Sequence, residues 1–369
     1  MRLIDASVKD FAQYVKERGE KIILFGAGSV AKTYVPYIVD KYDLSEYIIC
    51  AVDNNIVKHG QFISCFNCLI PIRSVSFLDE CDDNYCIWIT NGEFNSVIEQ
   101  LNYMEKCENK EVFIAAVMQL EYEEEEKRAV YKDSLIPRIP KIIHYCWFSG
   151  KKMSKELQGC VASWSEVCPD YKIIRWDESN YDIGKYEYSK EAYKMQKWGF
   201  VPDIVRLDIL YKYGGFYFDT DVRILKNLDH LRFQEAFCGR ERQGHINFGG
   251  GSGCVRHSKV VKKILDFRKN VRFINDDGSI NAEASGFFET WPLMCMGLHV
   301  EDKCQKLDGI NVYSSNFFSP YNFVNGEERI SENTVSIHYF KGSWIENGDM
   351  LRKQTREKYN EIKLMMEKI

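Results

Sequence analysis

The sequence lacks the features that would place this chain in a membrane or among nucleic-acid-binding proteins. No stretch approaches the ~20 consecutive apolar residues that span a bilayer, and the first residues lack the apolar centre of a secretory signal peptide. Lysine and arginine number 49 against 54 aspartates and glutamates, which leaves a formal net charge of −5. Without a basic surplus, we expect no nucleic-acid partner.

Prolines are few, and the cysteines do not form a disulfide pattern. Only 8 prolines occur in 369 residues, while 45% of the residues are hydrophobic, so the composition predicts a folded protein of about two domains. Thirteen cysteines is an odd number, and with no secretory signal it favours reduced thiols in the cytoplasm. Cys65-Phe-Asn-Cys68 matches only half of a zinc motif, so ordinary buried thiols are favoured there.

The first 120 residues alternate apolar runs with helical patterns, which predicts a Rossmann-like parallel sheet. An amphipathic stretch from Val8 to Arg18 precedes the run Lys21 to Phe25, which leads into a glycine turn at Gly26 to Ala31. Two further apolar runs cover Tyr47 to Val52 and Tyr85 to Thr90. Strand, tight turn and helix are the simplest interpretation of this order.

The glycine turn has the spacing of a dinucleotide-binding turn. Gly26-x-Gly28-x-x-Ala31 is followed by Asp53, and in such turns the glycines admit a pyrophosphate to a helix N-terminus while the acid binds a ribose. Gly26, Gly28 and Asp53 are therefore a candidate nucleotide site. The segment also resembles the small Rossmann-like modules of bacterial capsule-synthesis and sugar-modifying proteins, which either bind a nucleotide sugar or only organise the chain. Both interpretations stay open at this point.

An acidic segment separates the two halves of the chain. Residues 121–138 read EYEEEEKRAVYKDSLIPR, and the run of glutamates together with the proline is typical of a linker. We therefore predict a module at 1–120, a linker at 121–138 and a second domain at 139–369. The second domain begins with a strand pattern at Pro140 to Trp147, a helical pattern at Ser154 to Val167 and a strand pattern at Tyr171 to Trp176. This order again predicts an α/β fold.

Two aspartates follow a buried strand in the second domain. A helix predicted from Pro202 to Tyr213 ends at Gly214-Gly215, and the strand Phe216-Tyr-Phe218 leads directly into Asp219-Thr-Asp221. Carboxylates this close raise each other's pKa unless a cation or solvent offsets them. Mg²⁺ and Mn²⁺ suit such oxygen ligands and keep positions open for phosphates. Asp219 and Asp221 are therefore candidate metal ligands.

The segment VPDIVRLDILYKYGGFYFDTD at 201–221 resembles the DXD sugar-binding region of glycosyltransferases related to the fungal α-1,6-mannosyltransferases and the large glucosylating toxins. The resemblance covers the second half, from PKIIHYCWF through RWDE to a closing His-x-x-x-x-Ser-Trp at 338–344. It implies a GT-A domain, a divalent metal (Mn²⁺ or Mg²⁺) and a retaining transfer. The donor would be a UDP- or GDP-hexose and the acceptor a glycan or lipid-linked glycan.

The resemblance also implies roles for single residues. Asp203 and Arg206 would face the donor sugar, Asp219 would contact the donor directly or through the metal, and Asp221 would hold the metal at the diphosphate. The closing loop would complete the site, with His338 as a metal ligand. The residues expected to bind the donor are Trp147, Asn247, Ser343 and Trp344.

Several alternatives remain open on the sequence alone. Asp203 and Arg206, three positions apart on a helix, also fit a simple surface ion pair, and His338 and Trp344 also fit core positions. Glu289, in Glu289-Thr-Trp-Pro292 where related enzymes often have Thr-Gly-Pro, is either an acceptor contact or a surface residue. We assign no general base.

The C-terminal stretch from Met350 to Ile369 has an amphipathic pattern that fits two environments. A terminal helix packed on its own domain is favoured, and peripheral contact with a membrane is the alternative. For the whole chain, the alternative to an enzyme is a nucleotide-binding or nucleotide-sugar-binding protein whose transferase domain is inactive.

Overall fold

Residues 1–82, 84–92, 94–120, 130–281, 283, 285–341 and 348–368 are described by the structure, a computed structural model. The strands, in chain order, are β1 (Arg2–Asp5), β2 (Lys21–Phe25), β3 (Ile48–Val52), β4 (Phe62–Ser64), β5 (Leu69–Arg73), β6 (Tyr85–Ile89), β7 (Glu111–Ile114), β8 (Ile142–Cys146), β9 (Lys172–Trp176), β10 (Gly215–Tyr217), β11 (Val222–Ile224), β12 (Ala236–Arg240), β13 (Ile246–Cys254), β14 (Gln305–Leu307), β15 (Ile310–Tyr313), β16 (Ser336–His338) and β17 (Glu367–Lys368). The helices are α1 (Val8–Arg18), α2 (Ser29–Lys41), α3 (Phe77–Glu80), α4 (Phe94–Asn102), α5 (Ala115–Met118), α6 (Lys155–Val167), α7 (Glu187–Lys194), α8 (Pro202–Tyr213), α9 (Lys259–Arg268), α10 (Ser285–Met294), α11 (Ser315–Phe318) and α12 (Gly348–Met365). Within these ranges no helix is both long enough and apolar enough to span a bilayer.

Residue contacts divide the chain into two units, Met1–Glu123 with Glu357–Ile369, and Glu124–Arg356. In the first unit the strand order is β17-β1-β7-β6-β2-β3-β5-β4, and neighbours are parallel except for β4 and β5. Its central strand β6 is buried along its whole length, as expected for a parallel strand covered on both faces. This arrangement confirms the α/β class predicted for the first half.

The C-terminal end of the chain packs in the first unit, which corrects the predicted boundary of 139–369. Ile362 is buried in the apolar cluster of the first unit, and Lys363 pairs with Asp5. The two residues of β17 then pair in parallel with β1. A strand this short leaves no hydrophobic pattern in the sequence, so its partner is decided only by tertiary contacts.

The second unit has a mixed sheet with the order β14-β15-β12-β13-β10-β8-β9, beside a two-stranded sheet of β11 and β16. Strands β8, β9 and β10 are parallel, whereas β13 lies antiparallel between β10 and β12. The α/β class is confirmed here as well. Helix α8 has the predicted bounds, with Pro202 at its start, where a missing amide hydrogen costs nothing.

Two glycines connect α8 to β10. Gly214 ends the helix with φ 65° and Gly215 follows with φ 96°, which is backbone that favours glycine. A Cβ on Gly215 would lie 2.6 Å from the carbonyl oxygen of Ile142 on the neighbouring strand β8. The turn therefore needs glycine for conformation and for space, and it sets where the strand before Asp219 begins.

All thirteen cysteines are free thiols. Among the described residues, no three His, Cys, Asp or Glu side chains are grouped closely enough to hold a metal ion by themselves. Burial raises the pKa of the Cys50 thiol to about 12, so this thiol is protonated at neutral pH.

Candidate functional site

Arg206 is the centre of the candidate site. Its side chain is 4% exposed, and its Nη2 donates to Oδ1 of Asp203 one helical turn earlier on α8. Nη1 lies 3.5 Å from Oδ2 of Asp219, and Nε lies 3.9 Å from Oε1 of Glu289. Burial lowers the pKa of Arg206, but the three surrounding carboxyl groups raise it by more, so its pKa lies above the ordinary value. The guanidinium therefore stays charged.

Asp203 is enclosed by protein groups. It lies in the first turn of α8, where a carboxylate is stabilised by the helix dipole. Its Oδ2 accepts a hydrogen bond from Tyr188 Oη at 3.4 Å and lies 3.7 Å from Nη2 of Arg268. The pair of Asp203 and Arg206 is therefore a buried ion pair, so the surface ion pair considered above is wrong.

Asp219 is the most accessible carboxylate of this cluster, with 30% of its side chain exposed. Its Oδ1 accepts a hydrogen bond from Tyr217 Oη at 3.1 Å, and its backbone amide donates to the Gly249 carbonyl at 2.8 Å. A Cβ on Gly249 would overlap with both Oδ2 of Asp219 and Nη1 of Arg206. Glycine at 249 thus allows the carboxylate and the guanidinium to meet.

Asp221 and His338 form a second group beside the first. Val222 pairs with His338 across β11 and β16, which places His338 Nε2 3.3 Å from Oδ1 of Asp221. Oδ2 of Asp221 accepts the amide of Lys341 at 2.8 Å. Burial raises the pKa of Asp221, but the nearby imidazole and the amide lower it below the ordinary value. Burial lowers the pKa of His338, but Asp221 raises it more.

Asn247 joins the second group through β13. Its Nδ2 donates to Oε1 of Glu241 at 2.7 Å and lies 3.4 Å from Nδ1 of His338. Its Oδ1 accepts the amide of Gly250 at 2.9 Å, so the side chain is held from both sides. Gly249 lies beside Asp219 and Arg206, and Gly250 lies beside His338, so one stretch of β13 lines both groups of side chains.

Glu289 is a buried residue, not an exposed one. It is 1% exposed on α10, and its Oε2 accepts the amide of Phe248 at 2.8 Å. Its Oε1 accepts no hydrogen bond from any residue that the structure describes. Burial raises the pKa of Glu289 to about 8, although Arg206 and the Phe248 amide oppose the shift. The surface position considered for Glu289 is therefore wrong.

Trp147 directly follows β8. It is half-buried, donates from Nε1 to the Lys151 carbonyl at 2.7 Å and lines a cavity of about 620 Å³ between β9 and α6. Lys151, Lys152 and Arg175 also line this cavity. Ser343 and Trp344, the other two expected donor contacts, lie outside the described residues.

His144 has a structural role. It is fully buried on β8, where its Nδ1 accepts from Trp176 Nε1 at 3.1 Å and its Nε2 donates to the Gly214 carbonyl at 2.9 Å. Burial lowers its pKa to about 4. The neutral ring therefore connects β8 to the glycine turn before β10.

The first unit brings Gly26, Gly28 and Asp53 together at the ends of β2 and β3. Asp53 is engaged by the protein itself, because its Oδ2 accepts from the Ala27 amide at 2.7 Å and from Lys58 Nζ at 2.9 Å. Its Oδ1 accepts the amide of Asn55 at 2.8 Å. Burial raises the pKa of Asp53, but these donors lower it below the ordinary value. Asp53 therefore stabilises the glycine turn through its hydrogen bond from the Ala27 amide.

Comparison with known proteins identifies part of the second unit. Residues 154–238, which include Asp203, Arg206, Asp219 and Asp221, match a family described as a glycosyltransferase sugar-binding region containing a DXD motif. The resemblance to DXD glycosyltransferases is confirmed. The match contains the whole of α8, the glycine turn and β10, which are the elements that position the first group of the site.

Part of the chain is also similar to named proteins of Schizosaccharomyces pombe and Saccharomyces cerevisiae. The chain is 32% identical over 146 residues to inositol phosphoceramide mannosyltransferase 3 of Schizosaccharomyces pombe, covering 37% of the chain and 40% of that protein. It is 29% identical over 146 residues to mannosyl phosphorylinositol ceramide synthase CSH1 of Saccharomyces cerevisiae, covering 36% of the chain and 37% of that protein. The chain thus spans about two fifths of the length of these relatives.

Two solved glycosyltransferase structures are also similar. One is described as PaToxG glycosyltransferase, with a TM-score of 0.35, 16% identity, and coverage of 43% of this chain and 69% of that chain. The other is a glycosyltransferase involved in the glycosylation of the major capsid of PBCV-1, with a TM-score of 0.34, 10% identity, and coverage of 60% and 100%.

Several site residues were not singled out by the sequence analysis. Tyr188 and Arg268 enclose Asp203, Tyr217 supports Asp219, and Glu241 holds Asn247. Only Tyr217 carries a sequence signal, since it lies two residues before Asp219 in the strand that leads to the DXD. Tyr188 lies 15 residues before Asp203 and Glu241 lies 6 residues before Asn247, whereas Arg268 lies far beyond Asp203 in the chain. None of the three carries a motif, so only the fold shows their contacts.

Proposed function

We propose that this protein is a metal-dependent, retaining hexosyltransferase. It would move a sugar from a UDP- or GDP-hexose to a glycan or lipid-linked glycan in the synthesis of a surface polysaccharide. The observation that supports this most is the convergence of Asp203, Arg206 and Asp219 on one point, with Asp221 and His338 beside them. Since one similar protein is named a mannosyltransferase and the other a mannosyl phosphorylinositol ceramide synthase, mannose is the sugar to test first.

Arg206 and Asp219 would make the first contacts with the donor sugar. Asp219 is exposed enough to accept hydrogen bonds from sugar hydroxyls, whereas Asp203 is buried and both its oxygens face protein donors. Asp203 would therefore hold Arg206 in place, and Arg206 would hold Asp219. A guanidinium fixed in this way needs no reorganisation as charge shifts during the transfer.

The donor atoms at this site suit a divalent metal. Asp219 and Asp221 supply carboxylate oxygens and His338 an imidazole nitrogen, which are ligand types that Mn²⁺ accepts. Asp221 and His338 already lie within 3.3 Å of each other. Ions of this kind often take one or two carboxylates and complete their shell with waters and substrate phosphates. A metal bound here would neutralise charge on the departing diphosphate.

The transfer would proceed on one face of the sugar without a protein nucleophile. The bond between the anomeric carbon and the diphosphate oxygen breaks, and the acceptor oxygen forms its bond to the same carbon. The acceptor proton then goes to the departing diphosphate oxygen. A double displacement would require a carboxylate beside the anomeric carbon, and Glu289 is buried at 1% exposure.

The cavity at Trp147 is proposed as the place for the nucleotide base. The indole offers a flat surface for stacking, and Lys151, Lys152 and Arg175 supply positive charge for phosphates. The cavity volume of about 620 Å³ lies in the range of small-molecule sites. We also propose that the enzyme works in the cytoplasm, with contact to the inner face of a membrane when the acceptor is lipid-linked.

The proposal is tested by measuring donor hydrolysis and transfer over a panel of UDP- and GDP-sugars, with Mn²⁺ and with a chelator. We expect turnover of one donor that needs metal and is lost in Asp221→Ala. The matched control is Asp266→Ala, which removes an exposed carboxylate of α9 that pairs with Lys262 and Lys269. Donor binding without turnover under any condition would instead favour the inactive, nucleotide-sugar-binding alternative.

A further inference from the structure

Five exposed apolar side chains lie close together in the sequence at one edge of the first unit's sheet. They are Ile56, Val57, Phe62, Phe66 and Leu69, with 77%, 56%, 59%, 55% and 63% of their surface exposed. We call these five residues the edge patch. Single exposed apolar residues are ordinary on a protein surface, but a group of this size marks an interaction surface.

The backbone places two residues of the edge patch, Phe62 and Leu69, on the outward side of β4 and β5, and Ile56, Val57 and Phe66 lie in the loops that flank β4. Ile63 points into the core at 1% exposure, and its neighbours Phe62 and Ser64 point outward. In the antiparallel pairing with β5, Ser64 faces Leu69, so Leu69 lies on the same outward side. Gln61 Nε2 donates to the Val57 carbonyl at 2.8 Å and ties the preceding turn to the start of the strand.

Strand β4 is also an edge strand. In the described part of the chain it pairs with β5 alone and ends the sheet order of the first unit. One side of its backbone therefore carries peptide groups that face no neighbouring strand. An antiparallel strand from another molecule would satisfy those groups and cover the outward side chains at the same time.

The size of the edge patch matches half of a protein interface. At the exposures given above, five apolar side chains of this kind present roughly 600 Å² of apolar surface per molecule. Specific interfaces bury about 800 Å² per partner, of which a little over half is apolar. The edge patch with its polar surroundings therefore reaches the area that a stable dimer needs.

The charge around the edge patch favours a second copy over a membrane. Between Ile56 and Leu69 the sequence holds Lys58 as its one fixed charge, and that ammonium pairs with Asp53. A membrane-binding surface is usually rimmed by several lysines and arginines, which this segment lacks. A patch without net charge can meet an identical patch without electrostatic repulsion.

We propose that the edge patch is a self-association surface, at which two copies of this chain pair antiparallel along β4. A two-fold axis through that contact makes each patch cover its partner, and the two sheets continue into each other across it. The proposal is independent of the transfer activity, so its test needs no turnover.

The test is sedimentation velocity on the purified full chain over a wide concentration series. We expect the mass of two chains, and loss of the dimer in the double variant Phe62→Lys, Leu69→Lys. The matched control is Tyr103→Lys, which places the same charge at a residue that is 90% exposed in the same unit but outside the edge patch, and it should leave the dimer intact. Unchanged thermal unfolding in each variant would show that the fold is retained.

Three results would overturn the proposal. The first is a natural chain that sediments as a monomer at every concentration. The second is a double variant that dimerises as strongly as the natural chain. The third is flotation with phosphatidylcholine or phosphatidylserine vesicles that is lost in the double variant, since this would assign the edge patch to lipid.

Discussion

The guanidinium of Arg206 and the carboxylate of Asp219 meet across the backbone of Gly249, with 3.5 Å between Nη1 and Oδ2. Arg206 comes from a helix and Asp219 from the loop after a strand, and β13 holds Asp219 in place because the Gly249 carbonyl accepts the Asp219 amide. The contact therefore depends on a position without a side chain. This makes Gly249 as important for the geometry as the two charged residues.

We predict that Gly249→Ala uncouples Arg206 from Asp219. The added Cβ would overlap with both side chains, so at least one must move, and we expect donor binding to be lost while the sheet still forms. Isothermal titration with the donor found in the panel measures this. Gly159→Ala is the control, since a Cβ there meets open space on α6 and should leave binding unchanged. Equal binding by both variants would contradict the prediction.

We predict that the Glu289→Gln variant is more stable than the natural chain, and that this difference in the free energy of unfolding grows as the pH rises. The folded pKa is about 8 against 4.5 for an unperturbed glutamate, so between these values the unfolded chain releases a proton that the folded chain keeps. Stability of the natural chain therefore falls across this window, and glutamine removes that loss. The gain should be near zero at pH 4.5 and reach at most about 3 kcal/mol at pH 7.

Thermal unfolding of both proteins across the pH range measures this difference. Glu187→Gln is the control, since this glutamate is exposed and forms an ion pair with Lys190 at the surface. A stability difference for Glu289→Gln that does not vary with pH would show that the Glu289 carboxyl is ionised in the folded protein.

We predict that Asp53→Asn destabilises the first unit without changing sugar transfer. The carboxylate accepts the Ala27 and Asn55 amides and the Lys58 ammonium, and losing such charge-assisted bonds costs about 2–3 kcal/mol. Because the folded pKa of Asp53 lies below the ordinary value, this stabilisation is present above pH 3.8 and is lost as the pH falls through the folded pKa. Calorimetric unfolding measures the loss, and a fall in nucleotide affinity at unchanged stability would favour the ribose-binding role instead.

We predict that Ile362→Ala lowers the stability of the first unit by about 2–4 kcal/mol. This side chain is 5% exposed in the first unit's apolar cluster, although it lies near the end of the chain. Leu364→Ala, at a residue that is 88% exposed two positions later, should change stability by less than about 0.5 kcal/mol. Chemical denaturation followed by circular dichroism compares them, and equal effects would show that the C-terminal helix does not pack as described.

The sequence by itself determined the local elements. Helix α1 and helix α8 have their predicted bounds, and β2 does as well, because each is a clear periodic pattern with a defined stop. The DXD was found for the same reason, since a buried strand followed at once by two carboxylates is a local feature. The resemblance to the DXD region of glycosyltransferases was visible in one continuous segment, residues 201–221.

Only the tertiary structure decided which distant residues meet. Glu289 faces Arg206 from more than eighty residues away, and β17 joins β1 across almost the whole chain. Such contacts depend on strand order and helix packing, which short-range patterns do not encode. Burial is decided in the same way, because it turned a suspected surface ion pair at Asp203 into a closed charge cluster and a suspected surface glutamate into a carboxyl with a raised pKa.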